Sequence, residues 1–431
     1  MTEPAVSAAA APATGSLFNR DFVLLWQGQL VSHLGNQAFL VGTAFWLMET
    51  TGSATLMGGL MMASTVPTVL LGPIGGTFAD RHSRRAIILG SDAVRGAAVL
   101  TLALLLARSP GASATMIVAL FVYAALAGAI DAAFRPAIAA AIPELVPRTS
   151  IAAANSLNQF SAQGSTLLGQ AIGGVLYRLL GASRLLAIDG ASFLLSAFAM
   201  LFVRMPRQPR APTRGVRSAL RSYRDETADG VRFVLRQSGM RNLLLVATGL
   251  NFFAAPIFVL LPFYVALTLR QQSDWYGFLL ASLSIGSIAG LALATRTQRA
   301  GIPRSRMITF ALVLAPLALG GLGLTREPAI AALLCTIAGV MSGLINVAVI
   351  TLIQLGTPPA MRGRVMALMI TLSAGAAPLG MAMGGVLGDL TGKNVPLIYI
   401  GSALLAALMA SLAVASPSVR AFLADEWAHD R

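Results

Sequence analysis

The chain has 431 residues, 56% of them hydrophobic and only 11% charged, with a formal net charge of +14. Soluble domains carry roughly 25% charged residues, so the composition excludes a soluble multidomain protein and points to an integral membrane protein. The single cysteine, Cys335, excludes disulfides within the chain, and three scattered histidines, His33, His82 and His429, offer no metal cluster.

Residues 1–20 open MTEPAVSAAAAPATGSLFNR, with no basic segment ahead of the alanines, and are expected to be a flexible cytoplasmic tail and not a signal peptide. Uncharged runs between polar breaks then predict spans near 22–48, 55–78, 86–107, 115–137, 151–177 and 185–203. A second set follows near 242–269, 275–295, 307–325, 329–356, 365–388 and 395–416. Each is long enough for a hydrocarbon core of about 30 Å, which takes roughly 20 helical residues. The expected fold is all-α integral membrane: twelve transmembrane helices in two six-helix bundles, 21–203 and 242–416, with a linker at 204–241 and a cytoplasmic tail at 417–431.

Basic residues concentrate at one side. Arg20, Arg81, Arg84, Arg85, Arg148, Arg296, Arg299, Arg304, Arg306, Arg362, Arg364 and Arg420 fall at one set of span ends, whereas the other set has only sparse charge such as Glu49, Arg178, Arg270, Arg326, Glu327 and Lys393. Loops left in the cytoplasm retain the arginine excess, which predicts an inner-membrane protein with both termini cytoplasmic. Within the linker, RMPRQPRAPTRG reads as extended, and Val216, Leu220, Val231 and Leu235 give residues 216–237 the spacing of an amphipathic helix. Arginines on such a helix favour anionic lipid, so the expected partner of the charge is the membrane and not nucleic acid; a solvated topology signal remains the competing reading.

The halves resemble each other. GQAIGGVL at 169–176 matches GMAMGGVL at 380–387, and GGTFADRHSRR at 75–85 has a worn counterpart, GLALATRTQRA, at 290–300. Parallel six-helix repeats with a cavity at their interface are the plan of a rocker-type secondary transporter.

Ionisable groups inside spans are costly and usually functional. Asp92 and Arg95 are spaced i to i+3 and are expected to pair. Asp131 reads either as a proton carrier or as the partner of Arg135 one turn on. Asp189 is a proton carrier, a partner of Arg184 or a cap on a neighbour. Uncharged cavity candidates are His33, Asn36 and Gln37 in the first span, a stripe of Asn155, Asn158, Gln159 and Gln163 in the fifth, Asn251 and Asn346 in the second half, and the aromatics Trp46, Phe252 and Phe253. Amides and aromatics suit a large, partly apolar ligand, although amide pairing between helices explains each one equally. No phosphate loop, H-E-x-x-H or nucleophile elbow occurs, so no enzyme is expected.

GTFADRHSRRAII (76–88) resembles the loop signature of the major facilitator superfamily. AIDAAFRPAIAAAIPELVP (129–147), AANSLNQF (153–160), GVRFVLRQSGMRNLL (230–244) and RGRVMAL (362–368) resemble its branch of macrolide and enterobactin exporters. The resemblance implies a cytoplasmic gate in which Asp80 approaches the start of span eleven near Arg364 when the halves close there. Arg81, Arg84 and Arg85 would hold Asp80, pair with Asp131 and Asp92, or only fix topology; Asp92 and Arg95 would form a latch near the loop. The family usually has glycine where Ser83 stands. GQAIGG, with Gly169, Gly173 and Gly174, resembles the antiporter motif of exporters, with Gln170 in place of its proline; ordinary small-residue packing is the alternative. The resemblance implies a monomer that carries out proton-coupled export of a small amphipathic drug or siderophore. It implies no cofactor beyond the proton gradient. An importer of the same fold and a non-transporting sensor or scaffold are the alternatives.

Overall fold

In the computed structural model the described residues are 16–109, 111, 113–205, 224, 228–299 and 304–424. The first helices are α1 (Arg20–Thr51), α2 (Ala54–Arg81), α3 (Arg84–Arg108), α4 (Ala114–Leu145) and α5 (Ile151–Met200). After a helical segment at 228–236 come α6 (Ser238–Val259), α7 (Asp274–Arg299), α8 (Arg304–Gly321), α9 (Pro328–Leu355), α10 (Pro359–Leu390), α11 (Val395–Ala415) and the short α12 (Pro417–Ala424).

The breaks between helices have local causes. Gly52 ends α1 in a left-handed conformation, φ 62°, which glycine adopts without a Cβ penalty. Ser53 then caps α2 by accepting from the Leu56 N–H at 3.2 Å. Ser83 caps α3 and Ser113 caps α4 in the same way, so the serine at the family's glycine position works as an N-cap. Gly181, at φ 74° and ψ 169°, kinks α5. The 50 residues of α5, at about 1.5 Å each, reach more than twice the depth of a bilayer core, and the kink divides it where two spans were expected.

Among the described residues ten helices are long and apolar enough to cross a membrane. The fold is all-α and built to sit in lipid. Its outward faces carry Val118, Val122, Leu404 and Leu412, all more than half exposed, because lipid chains solvate leucine as well as a core does.

α1 lies along α5, α2 along α4, and α3 along α5. In the second half α7 lies on α9, α8 on α9 and α11, and α6 on α10 and α11. Among the described residues the halves join mainly through α2 with α10 and α5 with α7. Among the described residues the hydrophobic core is continuous across both halves at the arginine-poor end, from Phe45 and Tyr177 to Tyr264 and Tyr399. At the arginine-rich end it separates into one cluster around Phe22, Ile88 and Ile142 and another around Met240, Leu344 and Leu352. The molecule is closed at the first end and divided at the second.

The linker helix falls partly outside the described residues: Val216 and Leu220 do, whereas Val234 is buried against the second half. Asp229 ties this segment to α10 through Arg364 at 3.1 Å.

Candidate functional site

A cavity of about 720 Å³ lies among α1, α3, α4 and α5. From α1 it takes Gln29, Ser32, His33, Asn36 and Gln37; α5 contributes Asn155, Asn158, Gln159 and Thr166. Gln163 does not line it. Eight residues from Asn155 on a 3.6-residue helix is a rotation of about 80°, so the wall runs through Ala162 and Thr166 instead. Gln37 bridges the two walls, donating to Thr166 Oγ1 at 3.4 Å and accepting from Gln170 at 3.4 Å.

The charged side of the cavity comes from α3 and α4. Arg95, itself buried, pairs with Asp131, and its guanidinium sits 4.8 Å from the Phe134 ring and 5.8 Å from the Phe193 ring. Arg135 is a lesser partner of Asp131, at 3.6 Å and with its side chain 76% exposed. Asp92 accepts from Ser196 Oγ at 2.7 Å, and its other oxygen is buried without a hydrogen-bond partner. Asp92 and Arg95 therefore are no mutual pair and no latch near the loop: both line the cavity, and the arginine extends to the next helix.

Asp189 lies behind this wall. It is fully buried, and neither carboxylate oxygen has a hydrogen-bond partner, which sets aside both the pairing with Arg184 and a capping role. Its place exists because α1 has glycine opposite: a Cβ on Gly35 would stand 2.7 Å from Asp189 Oδ1 and 2.5 Å from Ser192 Oγ.

Of the expected gate arginines, two have partners other than Asp131 and Asp92. Arg84 pairs with Glu144 and donates to the Ala140 carbonyl at 2.9 Å. Arg85 donates to the carbonyls of Met200 and Leu201, at the end of α5, at 3.2 and 2.5 Å. Neither reaches Asp131 or Asp92. Arg81 ends α2, with its side chain partly exposed. Asp80 is in α2, but its side chain lies outside the described residues.

A second cavity, about 370 Å³, lies in the other half and is mainly apolar; Asn251, Asn346, Ser342, Ser373 and Ser402 are its polar side chains. Phe253 lines it, whereas Phe252 packs edge-on against Phe253 at 5.3 Å. Trp46 lines neither cavity and is buried in the continuous core. Gly169 and Gly173 sit against α1, where added Cβ atoms would meet Gln37 at 2.7 Å and Val41 at 3.1 Å.

Sequence reasoning missed Gln29, Ser32, Tyr123 and Thr166 as cavity residues. Gln29 and Ser32 share the face of His33 and Asn36 and were legible from helical spacing; Tyr123 was not, because only the packing of α4 turns it inward.

The transmembrane secretion effector family matches residues 10–429. The chain belongs to this family of the major facilitator superfamily. This transporter is 26% identical to macrolide efflux protein A of Streptococcus pyogenes, over 86% of its own length and 90% of the relative's. It is 28% identical to the multidrug efflux pump Tap of Mycolicibacterium fortuitum, over 92% and 96%. In fold it matches a bacterial homolog of the human lysosomal transporter Spinster, solved inward-facing and unoccupied, with a TM-score of 0.72 at 16% identity over 95% of this chain and 99% of that one. A D-xylose-proton symporter gives 0.64 at 17% identity, over 92% and 97%. The relatives of this major facilitator protein are membrane transporters, not enzymes.

Proposed function

We propose that the chain is a twelve-span, proton-coupled exporter of a small amphipathic molecule, a drug or a siderophore, working by alternating access as a monomer in the inner membrane. The observation that carries this reading is the Asp131–Arg95 pair in the wall of the larger cavity. An acid held in a membrane helix by a partner on the neighbouring helix can exchange that partner for a proton. Substrate enters from the arginine-rich end, where the two cores stand apart and which the arginine excess assigns to the cytoplasm. Its polar atoms meet the amides and charges of the first-half cavity, and its apolar body has the second-half cavity available. Binding at a site open to one side, then closure there and opening at the other, moves the molecule outward against one or more protons.

The efflux relatives support the outward direction, and the absence of any nucleotide-binding motif in the sequence supports an ion gradient as the energy source. Asp80 is proposed to stabilise the cytoplasm-closed state at the start of α10. The Arg-rich linker is proposed to rest on anionic lipid.

Everted vesicles test the reading with a macrolide and a catecholate siderophore as probes. Export predicts accumulation of one of them that collapses with a protonophore. No accumulation, with uptake in right-side-out vesicles, would make it an importer; binding without flux in either orientation would make it a sensor.

A further inference from the structure

The glycine repeat has a structural meaning that neither half shows alone. In the first half a Cβ on Gly174 of α5 would run into the backbone carbonyl of Ser273, at the start of α7. In the second half a Cβ on Gly385 of α10 would run into the carbonyl of Ala54, at the start of α2. Gly174 and Gly385 are the same position of GQAIGGVL and GMAMGGVL. The reverse contacts match as well: Gly277 of α7 faces Gln170, and Gly58 of α2 faces Met381, again equivalent positions of the repeat.

Polar contacts follow the same two-fold plan. Ser273 Oγ donates to the Gly174 carbonyl at 3.0 Å, and Thr55 Oγ1 donates to the Gly385 carbonyl at 3.4 Å. One turn beyond each glycine stands a charge aimed at the first turn of the opposing helix. Asp389 accepts from Ser53 Oγ at 2.9 Å and from the backbone N–H groups of Ala54 and Thr55 at 3.0 Å each. Arg178 pairs with Asp274 at 3.1 Å, without hydrogen-bond alignment. Asp389 thus caps a helix of the other half, satisfying N–H groups that the start of α2 leaves open, with its charge at the positive end of the helix dipole.

We infer that Asp389 and Arg178 are paired gate residues of the arginine-poor face, each locking one of two symmetry-related glycine seams. Both locks must release before the cavity can open on that side. This rests on the alternating-access reading. The glycines bring the backbones close enough for the locks to form, and the locks set how readily the seams part. The two are unequal: a carboxylate that accepts three hydrogen bonds from a helix start holds harder than a half-exposed ion pair.

Spin labels at Thr50 and Leu390, in a Cys335→Ala background, flank the α2–α10 seam and report its opening. Losing a charge-assisted hydrogen-bonded contact corresponds to roughly a tenfold change in population. Asp389→Asn is expected to raise the long-distance population about tenfold. Gly385→Ala keeps the carboxylate but wedges the seam, and it should shift the population the same way. Arg178→Gln is expected to shift it by less, about twofold to fivefold, and the charge swap Arg178→Asp with Asp274→Arg should restore the wild-type distribution. Unchanged distances in both Asp389→Asn and Gly385→Ala would overturn the inference, and a shift that the Arg178→Asp, Asp274→Arg swap fails to reverse would remove Arg178 from it. A shift without flux of any probe in vesicles leaves the gate standing and removes the transport reading. Flux without any shift does the opposite.

Discussion

Arg95 on α3 bypasses Asp92, one turn away on its own helix, and pairs with Asp131 on α4. Asp92 is taken up instead by Ser196 of α5. One buried cation is thereby surrounded by Asp131, Asp92 and Asp189, and only Asp131 holds it directly. In a low-dielectric wall such an arrangement is sensitive to any change in the protonation or occupancy of one acid.

Removing the cation should therefore cost more than removing the pair. Arg95→Gln leaves Asp131 without its principal partner and is expected to destabilise the protein by about 3 kcal/mol. The double variant Arg95→Gln, Asp131→Asn should recover part of that loss. Thermal unfolding in detergent measures both; equal losses in the single and double variants would show that the pair is not coupled.

Asp131→Asn is expected to bind substrate and to lose turnover driven by a pH gradient, because the amide cannot exchange a proton. Vesicle flux with and without an imposed gradient separates the two properties. Retained coupling in Asp131→Asn, together with its loss in Asp189→Asn, would move the proton to the buried acid behind the wall.

Gly35→Ala forces a methyl group toward Asp189 Oδ1 and Ser192 Oγ in a packed interface, and overpacking of this kind costs about 1–3 kcal/mol. Gly401, on α11, has nothing within 4 Å of the equivalent position. Gly401→Ala should be neutral or stabilising by up to about 1 kcal/mol. The contrast in melting temperature between the two variants checks the close approach of α1 and α5.

Two amides of α5 should separate by function. Asn155→Leu removes polar lining from the larger cavity and is expected to weaken binding of a polar-headed substrate about fivefold, roughly the worth of one hydrogen bond. Gln163→Leu, turned off that face, should leave affinity unchanged. Equilibrium binding of a fluorescent efflux substrate to purified variants distinguishes them, and equal effects would place the binding surface elsewhere.

The helix breaks were legible in the sequence because their causes are local. Ser53, Ser83 and Ser113 cap the helices that follow them, and Gly52 ends the one before it. His33, Asn36 and Gln37 were legible as one polar face of the first span for the same reason. Gln163 was misplaced because the notion of a polar stripe tolerated a drift that a real helix face does not. Trp46, a cavity aromatic by residue type, is core because α1 turns that position toward the second half's helices at the closed end.

The lipid-embedded class, the positions of the helices, the asymmetry of charge between the two faces and the duplication of the halves could all be read from the residues alone. Each of these depends on residue type and on spacing within a few turns. It took the packing of the helices to assign Arg95 to Asp131, to bury Asp189 against a glycine with both oxygens unmet, and to bring Asp389 onto the start of a helix more than three hundred residues earlier in the chain. A charged group takes the partner that desolvation and geometry leave within reach, and which groups are in reach is fixed by the neighbours of each helix, not by its own sequence.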